Sequence, residues 1–199
     1  MVTKRATELL LVGGDPALDL ANTLGGSPGE TLVDYAELSA WAARVGVVER
    51  DEAARLAALG EARPSAAEAA LTAARELRTL VDGVFRPLAT GGEPAPEALD
   101  GLLARGAAAT ARARLRRHDG SFDLAWDGDD LERIVWPLAA AAVDLLRHGP
   151  LDSLKLCQGC PWLFLDTSRN HSRRWCSMNV CGGAAKMRRY RARRATAGR

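Results

Sequence analysis

The sequence predicts a mainly α-helical protein with one small β-hairpin, in which a multihelical N-terminal domain precedes a short module that contains four cysteines. Hydrophobic residues make up 47% of the 199 residues and aromatic residues only 5%. Most apolar positions, many of them alanine, recur at helical spacing, whereas a sandwich or a barrel would use more β-branched and aromatic residues. All four cysteines lie between positions 157 and 181, which sets the C-terminal segment apart.

A turn and three short elements are predicted for the first 60 residues. Residues 12–16 form a turn, residues 17–24 form a short helix or an extended segment, and residues 34–45 form a helix that Gly46 ends. A further short helix of residues 49–60 follows the same pattern. The candidate core side chains of these elements are Leu18, Leu20, Leu24, Leu38, Trp41, Ala42 and Val45.

Two helices are predicted after Pro64. Ser65 and Glu68 have the spacing of a capping box, so a helix should begin there and end near residues 87–92. A shorter helix of residues 94–106 should be opened by proline and ended by its last glycine. The first of these helices should direct Leu71, Ala74, Leu77, Val81 and Phe85 inward.

After these helices, the spacing of the apolar residues changes from the helical period to alternation with polar residues. Polar and apolar residues alternate over residues 111–126, with Asp119 and Gly120 at the centre, which predicts a β-hairpin. Its arginines at 112, 114 and 116 either form a solvated strand face, which is the simpler explanation, or contact nucleic acid.

A buried helix is predicted for residues 129–148, with Pro137 as a candidate kink. Gly149 and Pro150 end it, and they place the boundary between an N-terminal domain of residues 1–150 and a C-terminal module of residues 151–199.

The net charge changes from negative to positive at the same boundary. Residues 1–150 carry 16 Lys/Arg against 23 Asp/Glu, a net charge of −7, whereas residues 151–199 carry 11 against 2, a net charge of +9. Such asymmetry is typical of a nucleic-acid partner, although a merely solvated basic tail would have the same composition. No apolar run approaches the roughly 20 residues of a membrane span, and the apolar residues 9–12 are too few for a signal peptide, so a cytoplasmic protein is expected.

The cysteine spacing indicates a metal site. Cys157 and Cys160 form a C-x2-C knuckle, and Cys176 and Cys181 form a second pair further along the chain. Two close pairs separated in this way are typical of one structural zinc ion held tetrahedrally by four thiolates. Such a metal would also stabilise a module too short to bury much apolar surface.

Other interpretations account for fewer of the cysteines. A redox dithiol of Cys157 and Cys160 would leave the second pair unexplained, and disulfides conflict with a cytoplasmic location. A catalytic zinc site needs an open coordination position, which four thiolates would close. His171 could replace one cysteine as a ligand, although a histidine in a polar loop is more often solvated.

The residues around the cysteines predict a knuckle, a hairpin and a helix, an arrangement similar to a treble clef. A short strand of residues 162–165 leads to a polar turn, and the glycines at 182 and 183 allow a sharp turn before a helix of residues 184–194. Val180, Ala184 and Met187 are expected to face the knuckle. The candidate nucleic-acid contacts are Arg173, Arg174, Lys186, Arg188, Arg189, Arg191, Arg193 and Arg194, and no acid lies among those of the helix.

The stretch "CQGCPWLFLDTSRNHSRRWCSMNVCGGAAKMRRYRARR" closely resembles the CGNR zinc finger. "LVGGDPALDLANTL" and "LVDYAELSAWAARVGVV" resemble the start of the ABATE domain, which precedes that finger in bacterial proteins. The resemblance implies a stress-response transcriptional regulator that binds DNA through the finger, with the four cysteines as zinc ligands. Gly183 and Ala184 stand where the family has asparagine and arginine, so one contact should be missing and DNA binding reduced or altered.

Other functions stay open beside a DNA-binding regulator, whose N-terminal domain would sense a small-molecule effector or form a homodimer. The finger could instead make the protein an adaptor for an acidic protein partner or RNA. Asp15, Asp19 and Asn22 either line a ligand pocket or, more simply, cap turns and a helix start. No combination of serine, histidine and aspartate suggests catalysis, so an enzyme is not predicted.

Overall fold

The computed structural model describes residues 4–24 and 29–197. Within these residues the helices are α1 (Pro16–Asn22), α2 (Tyr35–Val45), α3 (Arg50–Ala62), α4 (Pro64–Ala89), α5 (Pro96–Ala111), α6 (Val135–His148) and α7 (Gly183–Ala197). The strands are β1 (Arg114–His118), β2 (Ser121–Ala125), β3 (Leu154–Leu156) and β4 (Leu163–Leu165), paired antiparallel as β1–β2 and β3–β4. The predicted fold class, mainly helical with a small hairpin, is confirmed.

The ambiguous segment after the first turn is helix α1. Asp15 caps it, because its carboxylate accepts a hydrogen bond of 2.8 Å from the N–H of Ala17, and Pro16 fits the first helical position. Leu18 and Leu20 are fully buried as predicted. Leu24 is 49% exposed because α1 ends at Asn22, so its assignment to the core is wrong.

Helix α4 is the central helix, and it packs against α1, α2, α3, α5 and α6. The capping box predicted at its start is wrong, because α4 begins at Pro64 and its N-cap residue, Arg63, forms no side-chain cap. Proline at this position presets the helical φ angle. The predicted inward side chains, including Leu77 and Phe85, are buried.

Gly106 does not end helix α5, which continues to Ala111. A Cβ atom at Gly106 would lie 2.5 Å from Cγ2 of Val143 on α6. The glycine therefore permits a close approach of α5 and α6. Pro137 lies in the first turn of α6, where a backbone N–H has no intrahelical partner to lose, so it need not kink the helix.

The β1–β2 hairpin confirms the alternating pattern in the sequence. Its turn residues Asp119 and Gly120 both have positive φ angles, 43° and 86°, as a two-residue hairpin turn requires. Leu115 and Phe122 project from one face of the hairpin and are 70% and 59% exposed. Both faces of this hairpin are therefore open to solvent.

Strand β4 joins two hydrophobic clusters. Leu163 and Leu165 pack into the core formed by the N-terminal helices. Phe164, between them, packs with Cys157, Cys176 and Cys181 in a second cluster. Since successive side chains of a strand point to opposite faces, this three-residue strand places the cysteine module directly against the helical body.

Candidate metal centre and nucleic-acid interface

The four cysteines converge on one point. Their sulfur atoms all lie within 4.8 Å of one another, and the Sγ–Sγ distances are 3.6 Å for Cys160–Cys176 and 3.9 Å for Cys176–Cys181. Four thiolates placed 2.3 Å from a tetrahedral zinc ion would be about 3.8 Å apart. The donor set therefore fits one zinc ion, and four sulfurs fill its coordination shell, as in structural sites.

Local backbone geometry brings the two pairs together. The N–H of Cys157 donates to the carbonyl of Trp162 at 2.9 Å, which closes the knuckle. Cys181 lies in a single π-helical turn, Met178–Gly182, that leads directly into α7. A Cβ atom at Gly159 would lie 3.0 Å from Cβ of Cys181, so the knuckle needs a glycine at this position.

The charge on the sulfur atoms is controlled by burial and by backbone N–H groups. Burial raises the pKa of Cys157, but hydrogen bonds from the N–H groups of Cys176 (3.3 Å) and Gly159 (3.4 Å), together with those from the thiols of Cys160 and Cys176, outweigh it and lower the pKa to about 7. Burial, together with the neighbouring sulfur atoms, raises the pKa of Cys160 to about 12 and also raises that of Cys176. Zinc, when bound, supplies the positive charge that stabilises several thiolates in so small a volume.

A buried carboxylate organises the segment between the cysteine pairs. Asp166 is fully buried and accepts hydrogen bonds from Lys155 Nζ (2.6 Å), Ser168 Oγ (2.6 Å) and the N–H of Arg173 (2.8 Å). Burial raises the pKa of Asp166, but these donors outweigh it and hold the pKa below its usual range. The sequence indicated a polar turn at this position but not the partner Lys155, which lies on the other strand of the hairpin.

Asn22 connects the helical body to the finger. Its side-chain amide is buried, donates to the carbonyl of Leu163 at 2.9 Å and accepts from the N–H of Leu163 at 2.8 Å. The N–H of Leu165 donates to the carbonyl of Gly13 at 2.9 Å. Two segments of the N-terminal region thus complete the hydrogen bonds of β4.

Asp19 holds the turn that receives Leu165. Its carboxylate accepts hydrogen bonds from the N–H groups of Val12 (3.0 Å) and Gly13 (2.8 Å). Burial raises the pKa of Asp19, and these two N–H groups oppose the increase. The polar groups of Asp19 and Asn22 are engaged with backbone, and a ligand pocket at these residues stays a prediction.

Helix α7 presents its basic side chains to solvent. It packs mainly against the π-helical turn that precedes it, and Val180 and Met187 are 53% and 50% exposed. Ala184 is exposed as well. The expectation that Val180, Ala184 and Met187 face the knuckle is therefore wrong, because the wider π-helical turn shifts these positions around the helix axis. The exposed basic residues are Lys186, Arg188, Arg189, Arg191, Arg193 and Arg194.

The two arginines before Cys176 have different environments. Arg173 is half-buried, with its guanidinium 4.9 Å from the centre of the Phe164 ring and Nη2 donating to the carbonyl of Cys176 at 2.6 Å. Arg174 is exposed and lies 4.6 Å from the Trp175 ring. Arg173 thus supports the metal centre, whereas Arg174 is open to solvent.

Comparisons with protein-family models match almost the whole chain. Residues 14–149 match ABATE, described as "Putative stress-induced transcription regulator", and residues 153–194 match the CGNR zinc finger. A search of curated proteins found no match. Among the described residues, no helix combines the length and apolar character needed to cross a membrane. The chain belongs to the ABATE family and carries a CGNR zinc finger, whose four clustered cysteines suit one structural zinc ion.

Proposed function

We propose that this protein is a cytoplasmic DNA-binding regulator in which the zinc finger presents α7 to the phosphate backbone. The observation that carries the proposal is the exposed basic surface of α7, which begins at Gly183, two residues after the last cysteine. Each phosphate that a basic side chain neutralises releases counterions, and this release drives binding. A metal site at the start of the helix would fix its direction and reduce the entropy lost on binding.

The finger residues have separate proposed roles. The basic side chains of α7 and Arg174 contact phosphates or guanine, both of which arginine suits. Arg173 acts through the finger, because its guanidinium already contacts Phe164 and the Cys176 carbonyl. Cys157, Cys160, Cys176 and Cys181 hold the zinc ion.

The departure from the family motif should affect a contact more than the fold. Gly183 is the first residue of α7, with φ −59° and ψ −47°, and a Cβ atom there would lie 3.8 Å from the carbonyl oxygen of Met178, an ordinary van der Waals contact. The position therefore accepts a larger side chain without strain. Ala184 is exposed and lacks the guanidinium that the family places there.

Salt-dependent binding of a random-sequence DNA duplex tests this function. Fluorescence anisotropy with zinc-loaded protein should show affinity falling steeply as salt rises from about 50 to 200 mM. Replacing both Arg188 and Arg189 by alanine should weaken binding and reduce the slope of log K against log salt by about 0.9 per lost phosphate contact. Arg147→Ala, an exposed arginine of α6, is the matched control. Absence of binding at the lowest salt concentration would refute the proposal.

A second candidate function is an adaptor that binds an acidic protein or RNA. It is favoured by exposed apolar side chains beside the basic ones, since Met187 and Tyr190 are 50% and 54% exposed. Competition of the bound duplex with single-stranded RNA and with polyglutamate distinguishes the candidates. Selection from a random DNA library would then give the target, and a symmetric target would indicate a homodimer.

A further inference from the structure

A cavity of about 730 Å³ lies in the N-terminal domain, away from the cysteines. The α2–α3 loop and the first turns of α3 form one wall, and strand β2 with the segment after it and the start of α6 form the other. This volume is within the range of cavities that bind small organic molecules, roughly 300–1,000 Å³. Asp19 and Asn22 belong to the separate junction with β4.

The cavity contains a substantial apolar surface. Trp126, Leu124, Pro137 and Val48 are among its lining residues. The indole Nε1 of Trp126 donates to the carbonyl of Ala109 at 2.8 Å, so its ring is held in place. Leu124 is 40% exposed, and a ligand in the cavity would cover part of it.

Arg133 holds the two walls together. It is 7% exposed, forms an ion pair with Glu52 of α3, and donates to the carbonyls of Trp126 and Gly128. Because these contacts of Arg133 link α3 to the segment after β2, the cavity is preformed.

The charges around the cavity leave two carboxylates without a cationic partner. The three lining arginines are each paired, Arg55 with Asp129, Arg116 with Asp127 and Arg133 with Glu52. Glu49 and Asp51 also line the cavity, and neither forms an ion pair within residues 4–24 and 29–197. The cavity therefore favours positive charge.

A positively charged ligand of this cavity would be an organic molecule and not a metal ion. In the described part of the chain, the four cysteines are the one set of three or more His, Cys, Asp or Glu side chains that can reach a single ion. Glu49 and Asp51 therefore offer a metal ion no closed set of donors. An apolar surface beside unpaired carboxylates instead matches a molecule with both apolar area and charge.

We propose that this cavity binds a small organic cation with an apolar body. The apolar body contacts Trp126, Leu124 and Pro137, and the charge lies near Glu49 and Asp51. An organic anion is disfavoured, because all three arginines are neutralised and Asp51 and Glu52 already occupy the positively polarised first turn of α3.

Two ions of nearly equal size and opposite charge, tetraphenylphosphonium and tetraphenylborate, test the proposal by calorimetry on the zinc-loaded full chain. Tetraphenylphosphonium should bind with one-to-one stoichiometry. The double substitution Glu49→Gln with Asp51→Asn should weaken it about fivefold, as the loss of two exposed charge pairs predicts. Leu124→Ala should also weaken it, whereas the control Glu93→Gln with Glu97→Gln should not.

Absence of tetraphenylphosphonium binding, or equal binding by the double variant, would overturn the proposal. If tetraphenylborate also binds, and Leu124→Ala weakens its binding as strongly as it weakens tetraphenylphosphonium binding, the cavity accepts anions and the proposal is overturned as well. DNA binding, measured on the same preparations, depends on the finger and not on these residues. Its loss or retention therefore tests the regulator function separately.

Discussion

Single buried polar groups determine how the short finger folds. Asp166 gathers four donors from both sides of the loop between the cysteine pairs, including the charged Nζ of Lys155. Asn22 satisfies both backbone groups of Leu163 from a helix 141 residues away in sequence. Apolar burial alone could not specify these positions, because it has no direction, whereas each hydrogen bond does.

Gly159→Ala should weaken zinc binding by roughly tenfold, the usual scale when the surroundings of metal ligands are disturbed. A new Cβ atom would lie 3.0 Å from Cβ and 3.4 Å from Sγ of Cys181, so either the knuckle or the π-helical turn must move. Competition with a chromogenic chelator measures the affinity. Gly83→Ala in α4, where the nearest atom is 3.8 Å away, is the control and should leave zinc affinity unchanged.

Asn22→Ala should lower the free energy of unfolding by about 2–4 kcal/mol, because two buried backbone groups of Leu163 lose their partners. Asn22→Asp keeps an acceptor for the N–H of Leu163 but loses the donor, and should also be destabilising. Urea denaturation measures the stability, and hydrogen exchange at the Leu163 amide localises the effect. Unchanged exchange at this amide in Asn22→Ala would show that Asn22 does not secure β4.

At the scale of elements, local sequence patterns predict whether a segment is a helix or a strand better than they predict the residue at which it ends. Alternation across Asp119 and Gly120 gave the β1–β2 hairpin correctly, since turn chemistry and strand period act within a few residues. Gly106 was wrongly expected to end α5, because its function is to contact Val143 on another helix. Cysteine spacing located the metal centre, but no local pattern linked Asn22 to Leu163, since that contact depends on tertiary packing.

Gly183→Ala should stabilise α7 by about 0.5–1 kcal/mol, because Gly183 is helical and alanine loses less backbone entropy. Increased helicity by circular dichroism, with unchanged zinc affinity, is the expected result. Gly182→Ala is the contrasting variant, since its Cβ atom would lie 3.3 Å from both Cε and Sδ of Met178. A loss of helicity in Gly183→Ala would show that the helix does not begin there.

The molecule contains two cores, and we expect only the larger one to bury enough apolar surface to be stable without metal. The helices of the N-terminal domain share one continuous apolar core, to which Leu154, Leu163 and Leu165 also contribute. The cluster around the cysteines contains four buried residues, of which three are cysteines of the metal centre, so apolar burial alone stabilises it little. We therefore expect the basic finger to depend on metal more than the acidic body does.

Removal of zinc should release the finger and preserve the body. With a strong chelator, most of the far-UV helical signal should remain, because α1 to α6 keep their core. The fluorescence of Trp162 and Trp175, which pack against the cysteine cluster, should change, and DNA binding should be lost. Zinc added back should restore the original fluorescence and the DNA binding. This recovery separates metal dependence from irreversible oxidation of the thiols. Unfolding of body and finger in one transition on chelation would instead show that β4 makes them a single cooperative unit.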